Sequence, residues 1–478
     1  MKTFRTTCIF IILTGEILVS IGCNSPKETR LKNVPNVIFF LVNDQRHNTL
    51  GCYGHPIIQS PAIDALAEKG TRFTNHFVTT SICMASRATI MTGLLARTNG
   101  VDYYQTPLDS VFIKYTYPVI MKNEGIITGF IGKTGFQVNG NYQPENWYDY
   151  YKAISGDSYF QKMEDGTERH ETEIASDYAI EFLNLQSHDK PFCLSVSFGA
   201  AHAVDNDHRP GFGHFPWPKS VDDSLYENIQ IPEPELSDPE IFESMPDFLK
   251  NSLNRVRYFW RWDTPEKYQA NMKAYFRMIT GLDIAIGRVL EELESLGFAK
   301  NTIIIYTADN GFYMGNRGFA GKWTHFEESL KVPLIIYDPR LDSTKHGIVC
   351  DELTLNADLP ATMLHYLGIQ PPEEYQGKSL IPLVTNQKVP EWRNSFFCEF
   401  TYFDPIIPKW EGIHTKDHLY ANYLDQEYEF LHDLNKDPNQ LQNFVKKSEY
   451  QEILNEMRVL CREKAEYYQQ KALQISGK

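Results

Sequence analysis

Cysteine is scarce and unpatterned in this chain. Eight occur in 478 residues, and no two form a Cys-x-x-Cys pair. That argues against a zinc–cysteine site and against a small scaffold stapled by disulfides. Basic charge is in deficit as well. The net charge of −15 argues against nucleic acid as a partner. It also denies a polyanionic substrate any long-range pull, so an anion would have to be held by a local basic site. No internal repeat is visible, and no apolar run is long enough to span a membrane. What is present is ordinary: 42% hydrophobic and 22% charged residues, at a length that suits a large α/β domain plus a smaller one.

The one conspicuous apolar stretch runs from Cys8 to Gly22, is interrupted by Glu16, and follows Lys2 and Arg5. Residues 1–22 therefore read as a signal peptide. The stretch ends in Ser20-Ile21-Gly22-Cys23, which resembles a bacterial lipobox. Lipid on Cys23 would attach the mature chain to a membrane, in the periplasm or on the outer-membrane surface of a Gram-negative bacterium. Simple cleavage without lipid is the alternative. Residues 23–34 are polar and read as a tether.

Short, β-branched apolar runs mark buried strands of a mainly parallel sheet: 37–42, 126–131, 192–198, 302–306 and 332–337. Helical patterns at 62–69, 175–185 and 268–296 alternate with them. The pattern predicts an α/β fold with helices on both faces of a large mixed sheet, over residues 35–370. A smaller subdomain with a final helix near 449–472 is expected over 371–478. Residues 203–265 lack periodicity and are rich in Pro, His, Trp and Asp, as a long functional loop would be. Polar residues collect just after the strands: Asn43-Asp44, Gly132-Lys133, His202 and Asp309-Asn310. In open α/β sheets that carboxyl edge is where ligands bind.

Cys83-Met84-Ala85-Ser86-Arg87 precedes a helical stretch at 86–95. A cysteine near a helix N-terminus lies where backbone N–H groups favour an anion, and Arg87 adds a fixed positive charge. A structural cysteine is the plain alternative. The C-x-A-x-R spacing resembles the signature of the sulfatase family. The resemblance implies that a maturing enzyme oxidises Cys83 to formylglycine, whose hydrate attacks sulfur. It extends from about Pro35 to Arg462 through Gly51-Cys52-Tyr53-Gly54, Asp309-Asn310-Gly311, Lys322 with Glu327-Glu328-Ser329, Leu355–Thr362, and Phe430-Leu431-His432-Asp433-Leu434-Asn435-Lys436-Asp437-Pro438. The last of these implies an α+β C-terminal subdomain with a small antiparallel sheet over 371–478.

That resemblance assigns Cys83, Arg87, Lys133, His202 and Lys322 to catalysis, with His202 or Lys322 as the proton donor. It assigns Asn43, Asp44, Asp309 and Asn310 to a divalent cation. A set of oxygen donors suits Ca²⁺, or Mg²⁺, rather than zinc. The implied substrate is a sulfated carbohydrate, with Arg209, Trp217, Arg261 and His325 as candidate contacts. Two positions depart from the family pattern. Asn43 stands where an acid is usual, and Gly135 stands where a histidine would reach the nucleophile. His47, His76 or His325 are candidate replacements, His325 first. Two other readings compete: a non-catalytic binding protein of the same fold, and a related phosphate-ester hydrolase. The second would want a Ser or Thr nucleophile and zinc-binding histidines.

Overall fold

The computed structural model describes residues 34–477, apart from 103–105, 141–142, 155–158 and 403. The leader, Cys23 and most of the tether lie outside the described residues. The principal sheet has eight strands: β1 (Asn36–Val42), β2 (Thr71–Phe73), β3 (Ile127–Gly132), β4 (Tyr150–Ala153), β5 (Phe192–Ser197), β6 (Thr302–Ala308), β7 (Leu334–Tyr337) and β8 (Ile348–Cys350). Their spatial order is β8-β2-β7-β6-β1-β5-β3-β4. β7 alone runs antiparallel to its neighbours.

β1 lies at the centre because every one of its residues, Asn-Val-Ile-Phe-Phe-Leu-Val, is buried. Its alternate side chains feed two different cores. Ile38, Phe40 and Val42 pack with α1 (Pro61–Lys69), α4 (Glu171–Asn184) and the 31-residue α6 (Pro265–Ser295). Val37, Phe39 and Leu41 pack with α2 (Cys83–Thr92), α3 (Tyr117–Asn123) and α7 (Asp358–Tyr366). The short strands β2, β4 and β8 carry too few residues for a pattern to show in the sequence.

The C-terminal region folds as expected, into a four-stranded antiparallel meander of β9 (Ser395–Phe400), β10 (Trp410–Thr415), β11 (His418–Tyr423) and β12 (Tyr428–Asp433). The final helix α8 (Gln451–Ser476) buries Leu454, Met457, Cys461 and Ala465 in a third core, with Trp410, Ile413 and the aromatic side of the 323–330 loop. Residues 203–265 are less irregular than their sequence suggests. They include three short helices, of which α5 (Leu253–Arg261) is the longest. Of its residues only Asn254 and Arg261 are fully buried. No described helix is long and apolar enough to cross a membrane.

Candidate active site

Strand register builds the site. Val42 pairs with Ala308 across β1 and β6, so Asn43-Asp44 and Asp309-Asn310 leave the sheet side by side. The Asp44 N–H donates to Asp309 Oδ1 at 3.1 Å, and Asn310 Nδ2 donates to Asp44 Oδ1 at 2.7 Å. The backbone turns sharply here, with Asp44 at φ 51°. On the other flank, Asn43 N donates to Ala200 O at 2.9 Å, and Ala201 N donates to Asn43 O at 2.7 Å. The end of β5 and the His202 loop are thereby tied to the end of β1.

Three cationic arms close on this edge. Arg87 projects from α2 and is 2% exposed. Its Nε donates to Asp309 Oδ2 at 2.7 Å, its Nη1 to the Lys133 carbonyl at 2.8 Å and to Ser197 Oγ, and its Nη2 to the Phe198 carbonyl at 3.3 Å. Lys322 Nζ donates to Asp44 Oδ1, with both groups buried. Burial alone would raise the Asp44 carboxyl, but the charges of Lys322 and His202 outweigh it and hold the group well below the usual carboxylate range. Burial would lower Lys322, yet Asp44, Cys83 and Asp309 push it up, so it stays charged. Cys83 is the first residue of α2 and is 6% exposed. The third arm, Lys133, directly follows β3 in sequence.

His202 Nδ1 lies 2.7 Å from the Ala203 carbonyl, which sets an Nδ1–H tautomer and leaves Nε2 to accept, 3.7 Å from Asp44 Oδ2. Burial pushes its pKa down to about 4, with Asp44 opposing and Lys322 and Lys133 adding to the drop. Two residues invisible to sequence reasoning hold this loop. Tyr159 Oη donates to the carbonyls of Gly199 and His202 at 3.0 and 2.5 Å. The buried Glu171 carboxylate accepts from Gly199 N and Ala200 N at 3.2 and 2.7 Å. No local pattern marks either residue, since their role exists only through a distant loop.

The four oxygen-bearing residues expected to hold a cation are thus adjacent and buried. Among the described residues no cluster of three or more His, Cys, Asp and Glu could hold a metal, so the candidate set is two acids plus two amides. Both side-chain polar atoms of Asn43, and Asn310 Oδ1, are buried without a hydrogen-bond partner. Unpartnered amide oxygens beside two carboxylates fit a hard cation.

The remaining candidates do not join the cluster. His325 is fully buried in the third core, with Nδ1 2.9 Å from Tyr423 Oη and Nε2 3.2 Å from His432 Nε2. Both ring nitrogens are engaged, which corrects the expectation that this imidazole reaches the nucleophile. His76 is likewise buried, against Thr354 Oγ1 at 3.0 Å. Arg209 is 82% exposed and pairs with its neighbour Asp207. Trp217 donates to Asp223 at 2.8 Å and stacks under Arg277. Arg261 is fully buried against Asp205. The glycine at 135 has a structural reason. It sits at φ +86°, and a Cβ there would lie 2.4 Å from Arg87 Cδ. The arm of Arg87 fills the space that a side chain at 135 would need.

Comparison with known proteins decides the family. The sulfatase family model matches residues 35–369. The chain belongs to the sulfatase family. A second model, for the C-terminal part of N-sulphoglucosamine sulphohydrolase, matches residues 315–466. An N-acetylglucosamine-6-O-sulfatase of Bacteroides thetaiotaomicron is 28% identical, over 94% of this chain and 89% of its own length. A solved structure described as a complex with its substrate D-glucosamine-2-N,6-O-disulfate superposes with a TM-score of 0.76 at 25% identity, over 91% of this chain and 98% of that one. A phosphonate monoester hydrolase of Agrobacterium radiobacter shares the fold, with a TM-score of 0.73 at 21% identity, over 90% of this chain and 96% of that one. As a sulfatase, the chain is a sulfuric ester hydrolase, in a family that generally uses formylglycine and a divalent metal.

Proposed function

We propose that this sulfatase removes sulfate from a sulfated carbohydrate, using formylglycine formed from Cys83 by a maturing enzyme. One observation carries the reading: Cys83 opens α2 while Arg87, one turn on, reaches Asp309, and Lys322 reaches Asp44. The hydrated aldehyde offers two oxygens. One attacks sulfur as the S–O bond to the sugar breaks, and the sugar oxygen takes a proton from Lys322 or His202. In the substrate-free protein Lys322 is the one held protonated at neutral pH. The attacking hydroxyl's proton leaves to solvent. The second hydroxyl then passes its proton to the group that protonated the sugar oxygen, the C–O bond to sulfate breaks as the aldehyde re-forms, and water hydrates the aldehyde for the next turn. Lys133, Arg87 and Lys322 supply fixed positive charge for the oxygens that gain charge. Asn43, Asp44, Asp309 and Asn310 would hold Ca²⁺, or Mg²⁺, which supplies Lewis-acid polarisation of a sulfate oxygen. The sugar's contacts come from residues 203–265, and lipid on Cys23 keeps the enzyme at a membrane facing the periplasm or the cell exterior.

The names of relatives that act on amino-sugar sulfates support a carbohydrate substrate. The Cys83 thiol and the absence of a histidine-rich metal set among the described residues speak against the phosphate-ester reading. Mass spectrometry of the peptide spanning Cys83, after expression with a maturing enzyme, is the test. Conversion to the aldehyde is expected; only unmodified thiol would overturn the reading in favour of a non-catalytic member of the fold.

A further inference from the structure

Between the loops that carry His202 and Lys322 lies a pair of arginines that the sulfate chemistry leaves unused. Both come from α5. Arg257 Nη2 donates to Asp205 Oδ2 at 2.6 Å, and Arg261 Nη2 reaches the other oxygen of the same carboxylate. Asp205 follows His202 by three residues, and the two groups are close enough to shift one another's protonation. Arg257 also lies over the ring of Trp323, 5.0 Å from its centroid. Trp323 directly follows Lys322. One turn before Arg257, Asn254 Nδ2 donates to the Lys322 carbonyl at 2.7 Å. The helix therefore touches both loops that bring protons and charge to the sulfate.

Two guanidinium groups share one carboxylate, which leaves one positive charge unbalanced. Arg257 Nε, and Arg261 Nε and Nη1, are buried with no hydrogen-bond partner. Arg261 is fully buried, whereas the Arg257 side chain remains 14% exposed. Desolvated N–H donors on a net cationic pair cost free energy unless an acceptor reaches them. An anion presented beside the sulfate ester would meet the exposed part of Arg257 and balance the charge of the pair, by a charge-assisted and planar contact.

We infer that Arg257, backed by Arg261, reads a second anionic group on the saccharide, either another sulfate or a carboxylate. The inference rests on the proposed reading of the site as one for sulfated sugars. It replaces Arg209 and Trp217 as the specificity contacts of the 203–265 region.

Calorimetric titration of the whole protein tests it without requiring turnover. The probes are a monosulfated amino sugar, the same sugar with a second sulfate, and a disaccharide that places a uronate beside the monosulfated unit. The wild-type protein should bind one or both doubly anionic sugars about tenfold more tightly than the monosulfate. In Arg257→Ala that ratio should collapse towards one, and in Arg257→Lys it should fall several-fold, since a point charge lacks the planar fork. Preference for the disulfate alone assigns the site to sulfate, and for the uronate alone to carboxylate. Equal affinities in the wild type would overturn the inference, as would a ratio preserved in both variants. Should Arg257→Ala fail to fold, the Arg257→Lys ratio decides alone. Sulfate release is scored separately. Release without discrimination sinks only this inference, whereas discrimination without release from any ester sinks the proposed function instead.

Discussion

Lys322 and His325 stand three residues apart on one loop and belong to different machines. Lys322 turns towards the strand ends and pairs with Asp44. His325 turns the other way, into the aromatic core shared with the C-terminal sheet, where Tyr423 and His432 occupy both its nitrogens. The first region is charged and paired at the strand ends. The second contains neutral polar groups, satisfied by one another. A loop anchored this way lets the C-terminal subdomain fix where the ammonium sits. Closeness in sequence to a candidate site residue therefore says little about which side of a loop a side chain serves.

The largest effect should come from breaking the charged side. Lys322→Ala removes a cation from the reacting oxygens and should lower kcat by about 10²–10³-fold. In the metal-free protein it also strands Asp44 as a buried charge, at a cost of about 3–5 kcal/mol. Parallel kcat and Tm measurements check both, and an unchanged kcat would place the ammonium outside the chemistry.

Acid should break the neutral side. Burial holds His325 well below its ordinary pKa, and His432 is pushed down to about 3 by burial and by Arg317. Unfolded histidines take protons near pH 6.5, which the folded pair refuses. Stability should therefore fall as pH drops below about 6.5 and continue falling towards pH 3, by about 1.4 kcal/mol per pH unit per histidine. His432→Gln should flatten the Tm–pH slope over that window. Identical slopes would show that the pair is not held neutral.

Gly135→His supplies the histidine that the family resemblance implies at this position and tests why glycine stands there. With φ +86° and Arg87 Cδ in the way, the change should cost about 1–3 kcal/mol and bring no gain in turnover. Faster hydrolysis at an unchanged Tm would mean that Arg87 yields easily. The smallest effect belongs to Arg209→Ala. Its partner is the adjacent Asp207 on the surface, so KM and Tm should both stay put. A raised KM would return Arg209 to the sugar site.

The sequence made the sheet legible because β1, β3, β5 and β6 are buried on both faces and read as continuous apolar runs. Their carboxyl ends then pointed to Asn43, Asp44, Lys133, His202, Asp309 and Asn310. Three things are hidden. The register that sets Asp44 beside Asp309 depends on strands hundreds of residues apart. The reason for Gly135 lies in the path of Arg87, a side chain from another helix. Arg257 is unmarked in the sequence because its meaning comes from Asp205 and Trp323, which only folding brings to it.

Sulfate release from a panel of sulfated saccharides, by protein matured at Cys83 and by its Cys83→Ala counterpart, tests the central claim most directly. The account predicts release by the first from at least one sugar and none above background by the second. Equal release by the two would contradict it.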